Sequence, residues 1–156
     1  MNVLFLCTAN SCRSILCEAL FNHLAPPGMQ ACSAGSQPRG EVNAQALAAL
    51  RRAGVATDGL SSKAVEAHAG LAPELVITVC DKAAGDACPV FFGPALKAHW
   101  GLADPSELAG TPAQIDAAFD ATLERIRNRL AAFFASQPGT LDREALQAEV
   151  RRIGSL

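Results

Sequence analysis

The stretch LFLCTANSCRS, residues 4–14, changes character at Cys7: an apolar run ends on a cysteine, and small polar residues, a second cysteine and an arginine follow at once. NVLFLC (2–7) reads as a buried strand, and SILCEALFNHLA (14–25) has helical spacing that stops at Pro26-Pro27-Gly28. Strand, short loop and helix in that order place Cys7 at the carboxyl end of the first strand, where open α/β sheets carry their sites. Thr8, Ala9, Asn10 and Ser11 are small enough for the backbone to curl with successive N–H groups facing one concavity, and the helix adds its positive end. That cradle suits a tetrahedral oxyanion. Arg13 supplies a planar, permanently charged fork that can bind two of its oxygens together. The same field stabilises a thiolate, so Cys7 is expected to be a nucleophile at neutral pH.

The remaining chain alternates short β-rich runs with helical patterns. MQACSAG (29–35) reads as a second strand, GEVNAQALAALRRAG (40–54) as a helix ended by Gly54, and PELVITVC (73–80) as a β-branched strand that again ends on a cysteine. After a Pro/Gly-rich stretch over 88–105, PAQIDAAFDATLERIRNRLAAFFA (112–135) reads as one long amphipathic helix. The alternation predicts a parallel sheet with helices on both faces. TLDREALQAEVRRIGSL (140–156) follows the Pro138-Gly139 break as a further helix, with Leu141, Ala145, Leu146, Val150 and Ile153 on its apolar face. The expectation is a single domain over 1–156, with a core of about 1–137 and an appended C-terminal helix over 138–156.

At 156 residues, with half of them apolar and a formal net charge of -2, the chain offers no bulk electrostatic reason to bind nucleic acid. Arg51-Arg52, Arg151-Arg152 and the run ERIRNR (124–129) read as solvated helix faces. MNVLFLC lacks a basic leader, and no segment approaches the ~20 apolar residues of a membrane helix, so a cytoplasmic protein is expected. In a reducing compartment the six cysteines would be core filler, metal ligands or reactive thiols rather than a disulfide scaffold.

CTANSCRS (7–14) resembles the phosphate-binding loop of the low-molecular-weight protein tyrosine phosphatase fold, and in particular of the arsenate reductases built on it. Asp104-Pro105 in HWGLADPSEL (99–108) is similar to the Asp-Pro pair that supplies the general acid in both groups. The resemblance covers about residues 1–135. It implies a three-layer αβα fold with a central, mainly parallel four-stranded sheet. By the same resemblance Cys7 attacks the oxyanion, and Arg13 with the loop Thr8, Ala9, Asn10, Ser11, Cys12, Arg13 and Ser14 holds it. Asn10 shapes the loop, Ser14 hydrogen-bonds the thiolate, and Asp104 protonates the leaving oxygen. The chain has no tyrosine, whereas the phosphatases usually carry tyrosines just after this Asp-Pro; Ser106-Glu107 stand there instead.

Reducing arsenate needs two electrons, so further thiols must be within reach. TVCDKAAGDACPVFFG (78–93) contains Cys80, which ends a strand and should emerge on the same sheet edge as Cys7, and Cys88 beyond an Ala/Gly/Asp segment. The resemblance implies a relay through Cys7, Cys80 and Cys88, reopened by thioredoxin or by glutathione/glutaredoxin, with phosphate or sulfate as competing oxyanions and no cofactor. A phosphatase of the same fold is the alternative reading, and a non-enzymatic oxyanion or thiol sensor the third. Cys12 reads as a small loop residue, Cys17 and Cys32 as core filling, and His23, His68 and His99 as structural or exposed, with His99-Trp100 supporting the Asp104 loop. Some relatives bind a monovalent cation near this loop. Asn10, Glu18 and Ser33 match its ligands but Lys63 falls at the acidic position, so an internal ammonium in place of a metal is expected.

Overall fold

The computed structural model of the chain describes residues 1–68, 70–80 and 94–156. Strand β1 (Asn2–Cys7) is apolar and buried from Val3 onward because both of its faces are covered. Val3, Phe5 and Cys7 enter the larger core cluster, while Leu4 and Leu6 enter a smaller one with Ala34, Val65, Val76 and Ala95. Such a strand belongs in the middle of a parallel sheet. β1 lies between β2 (Gln30–Gly35) and β3 (Leu75–Thr78), with β4 (Leu96–His99) beyond β3, and every pairing is parallel. The expected four-stranded sheet is therefore parallel throughout. β4 carries no apolar run or β-branched residue, so the Pro/Gly-rich reading of 88–105 concealed it.

Helices α1 (Arg13–Leu24), α2 (Ala44–Arg52), α3 (Pro112–Ala135) and α4 (Arg143–Ile153) all contribute to the larger cluster. Local chemistry sets their ends. Asn43 caps α2 by accepting from the N–H groups of Gln45 and Ala46, and Asp142 caps α4 through Ala145 N–H. Thr111 and Gln114 form a reciprocal capping box with Pro112 in the first turn of α3. On α4 the buried stripe is Leu146, Val150 and Ile153. Ala145, expected to share it, lies about 100° round the helix from Leu146 and is exposed. Among the described residues no helix is long and apolar enough to cross a membrane.

The reading of 124–129 as a solvated face also needs correction. Arg125 and Arg127 are exposed or half-buried, but Arg129 is only 1% exposed, because the end of α4 folds over it. Cys17 is core filling, as expected, whereas Cys32 is only half-buried, since β2 is an edge strand. Trp100 packs among Phe5 and Phe133, and Phe21 meets Phe5 and Phe134 edge-on and Phe133 at a tilt, which ties β1, α1 and α3 together. Phe21→Ala should therefore cost about 3–5 kcal/mol of unfolding free energy, read as a lower midpoint at unchanged slope in urea denaturation.

Candidate active site

Every site residue that the structure describes leaves the carboxyl end of a strand. β1 ends at Cys7, β2 at Gly35, β3 two residues before Cys80, and β4 leads through Trp100 to Asp104. The β1–β3 register continues from Leu6↔Thr78, with Val79 N–H donating to Leu6 O, so Thr8 falls opposite Cys80. Thr8 N–H points at Cys80 Sγ at 3.3 Å and its hydroxyl lies 3.5 Å from the same sulfur. Cys80 in turn hydrogen-bonds the Cys7 thiol.

The loop between β1 and α1 is held from outside by its carbonyls. Gln37 N–H donates to Thr8 O, Arg39 N–H to Ala9 O and Asn43 N–H to Ser11 O, each within 2.8–2.9 Å, and Ser62 Oγ adds a bond to Ala9 O. With those oxygens engaged by residues 37–43 and Ser62, the loop's backbone is fixed from outside. Asn10 takes the left-handed conformation, φ 46°, that the tight curl requires. Its buried amide fixes the turn: Nδ2 donates to Ser14 Oγ at 2.8 Å and Ser33 Oγ at 3.0 Å, while Oδ1 accepts from Lys63 N–H. Ser14, expected to bond the thiolate, accepts from Asn10 through its oxygen, which leaves the hydroxyl proton to be donated.

Arg13 Nη1 donates to Leu102 O at 3.0 Å, and Nη2 lies 3.4 Å from Asp104 Oδ2. The ion pair is long and its side chains are 16% and 20% exposed, so it is worth about 0–1 kcal/mol. Charge-assisted bonds to an oxyanion, at ~1.5–3 kcal/mol each, outcompete it. Arg13 Nε is buried with no acceptor among the described residues, which a seated oxyanion would supply. Asp104 is held by its other oxygen: Oδ1 accepts from Ser106 N–H at 2.9 Å and from Ser106 Oγ at 2.6 Å, leaving Oδ2 toward Arg13.

The thiols sort by their surroundings. Burial pushes Cys12 up to about 12 and Cys32 up to about 11, and raises the fully enclosed Cys17 as well, so all three remain neutral. Cys7 is also raised, first by its hydrogen bond with Cys80 and then by burial, with the Arg13 guanidinium pulling the other way. Two touching thiols lose their protons in sequence, and the second loss must set two negative sulfurs side by side. The loop, the helix end and Arg13 were expected to make Cys7 a thiolate; with Cys80 against it and burial around it, the thiol is instead held in its protonated form.

Lys63 stands where the sequence placed it. Its Nζ is 3.7 Å from Glu18 Oε1, which also accepts from Ser33 Oγ at 2.6 Å. The cluster already holds a positive charge, so it does not fit a bound monovalent cation. His68 bonds Ser33 O, His99 bonds Thr78 Oγ1, and His23 is exposed. Cys88 lies outside the described residues.

The model of the low molecular weight phosphotyrosine protein phosphatase family matches residues 2–151, reaching into α4. The chain belongs to that family. Among curated members, an arsenate reductase of Bacillus subtilis is 32% identical over 131 residues, 84% of this chain and 93% of that one. Another, from Staphylococcus xylosus, is 33% identical over 67% of this chain and 78% of its own. The solved structure of a thioredoxin-dependent arsenate reductase from Corynebacterium glutamicum superposes with a TM-score of 0.65 at 29% identity, covering 87% of this chain and 63% of that one. An arginine phosphatase from Geobacillus stearothermophilus gives a TM-score of 0.66 at 21% identity, a likeness of fold alone.

For a member of this family, several parts of the site carried no readable signal in the sequence. The Leu102 carbonyl and the three loop-holding amides are backbone groups without a side-chain signature. Gly35 did carry one, as a glycine at a strand end beside the loop. A Cβ there would stand 2.5 Å from Thr8 O and 3.0 Å from Asn10 Cβ and Cys7 O. Gly35→Ala should therefore displace the loop and weaken phosphate binding at least tenfold, measured by calorimetric titration, while the circular dichroism of the sheet and helices is retained.

Proposed function

We propose that this family member reduces arsenate to arsenite, with Cys7, Cys80 and Cys88 carrying the electrons in turn. The observation that supports the reading best is the second sulfur: Cys80 sits against Thr8 and hydrogen-bonds Cys7 inside the oxyanion loop. Hydrolysis of a phosphate ester has no use for a thiol there. The names of the 32%-identical Bacillus subtilis relative and the 29%-identical Corynebacterium glutamicum structure agree with it.

Arsenate enters the loop and is held by its amides and by Arg13. The Cys7 thiolate attacks arsenic, a sulfur–arsenic bond forms, and one arsenate oxygen leaves as water after Asp104 protonates it. Cys80 then attacks the Cys7 sulfur. The sulfur–arsenic bond breaks with its electron pair moving to arsenic, so As(V) becomes As(III) and leaves as arsenite, while Cys7 and Cys80 are oxidised to a disulfide. Cys88, as a thiolate, attacks Cys80 and releases Cys7, and the Cys80–Cys88 disulfide is reopened by a dithiol donor through ordinary exchange. Thioredoxin fills that role in the reading adopted here, in line with the Corynebacterium relative, and glutathione with glutaredoxin is the other donor of the same chemistry. Phosphate and sulfate, alike in shape and charge, compete for the loop. The Lys63 ammonium at Glu18 does the work that a bound cation would do.

The relay is tested by single variants. Cys88→Ser leaves the first two steps intact, so each enzyme molecule should release about one arsenite and stop. Cys80→Ser should release none on that timescale, and Asp104→Asn should slow adduct formation by roughly 10² to 10⁴. Any hydrolysis of a small aryl phosphate should survive both cysteine changes, because it requires only Cys7, Arg13, Asp104 and water. Many turnovers of arsenate by both cysteine variants would overturn the relay and return Cys80 and Cys88 to structural roles.

A further inference from the structure

Arg129 lies on α3, outside the oxyanion loop, yet its guanidinium joins two distant parts of the chain. Nη1 donates to Gly101 O at 3.1 Å, Nη2 to Gly154 O and Leu156 O at 3.2 Å each, and Nε to Leu156 O at 3.3 Å. Burying a cation is costly unless oxygens surround it. Here they come from the C-terminal end of α4, where the helix dipole is negative. An apolar side chain would fill the same space more cheaply. What it could not do is fix the separation of Gly101 from Gly154, which a rigid fork with donors on two sides does.

The contacts around this guanidinium all fall on the same stretch. Gln147 Nε2 donates to Lys97 O at 3.0 Å and Trp100 Nε1 to Val150 O at 2.8 Å. Gly154 lies so close that a Cβ there would be 2.6 Å from His99 O and 3.1 Å from Trp100 Cδ1. α4 therefore grips residues 97–101 along its length. The next residues are Leu102, whose carbonyl holds Arg13, and Asp104, which faces it.

We propose that Arg129 is a positioning residue: by pinning Gly101 to the end of α4, it sets the placement of Leu102 and Asp104 over the oxyanion loop. The C-terminal helix is then part of the active-site frame. This rests on the reading of Asp104 as proton donor.

The test is a double-mutant cycle on single-turnover arsenite release. It combines Arg129→Lys, or Gly154→Ala, with Asp104→Asn, at a temperature where circular dichroism finds all proteins folded. Gly154 is in a right-handed helical conformation, so its substitution acts through the added methyl alone, and it keeps the test available if Arg129→Lys does not fold. Each single change should slow release roughly tenfold to hundredfold. In the Asp104→Asn background the further loss should be several-fold smaller, because the group being positioned is gone. Rates within twofold of the parent, or losses that multiply fully in the double variant, would overturn the proposal. An unaffected Asp104→Asn would instead overturn the proton-donor reading, and this inference with it.

Discussion

The parallel register of β1 against β3 is the constraint on which the site depends. Because Leu6 pairs with Thr78, the chain leaves the sheet with Thr8 beside Cys80, and two thiols from residues 7 and 80 meet without a long side chain having to reach. A shift of one residue would turn the alternate faces of β1 over. Val3 and Phe5 would exchange places with Leu4 and Leu6, and the two core clusters would lose their packing. The register is thus enforced by the hydrophobic core, and the juxtaposition of the two sulfurs follows from it.

The loop is built on the same economy. Its shape comes from outside, where the 35–43 segment and Ser62 occupy its carbonyls, and from below, where Asn10 links Ser14, Ser33 and Lys63. Arg13 brings a permanent positive charge, anchored by the Leu102 carbonyl rather than by a tight ion pair, and so remains available to an anion. Gly35 is the complement of that arrangement, since β2 approaches the loop too closely for any Cβ.

Much of this was legible in the chain. The apolar run ending at Cys7, the small residues after it and the helical pattern from Ser14 are local signals, and they placed Cys7 at the end of β1, the loop after it and Arg13 at the start of α1. Cys80 was legible for the same reason, as the end of a β-branched strand. β4 was not, because LKAH has neither alternation nor β-branching and is a strand only through its pairing with β3. Arg129 was misread because charge runs are usually solvated, and its burial arises from the end of α4, 25 residues on. The same holds for Leu102, whose contribution is a carbonyl that every residue possesses. What the sequence hid was backbone chemistry and long-range docking. What it displayed was side-chain chemistry at strand ends.

In the proposed relay the sulfur held beside Cys7 is the one that completes the reduction. The most direct measurement is to mix the fully reduced Cys88→Ser protein with equimolar arsenate, quench with acid and alkylating agent, and map disulfides by peptide mass spectrometry. A single Cys7–Cys80 disulfide, formed in step with arsenite release, is the expected result. Arsenite release with Cys7 joined to Cys12, or with both Cys7 and Cys80 still alkylated as thiols, would contradict the account.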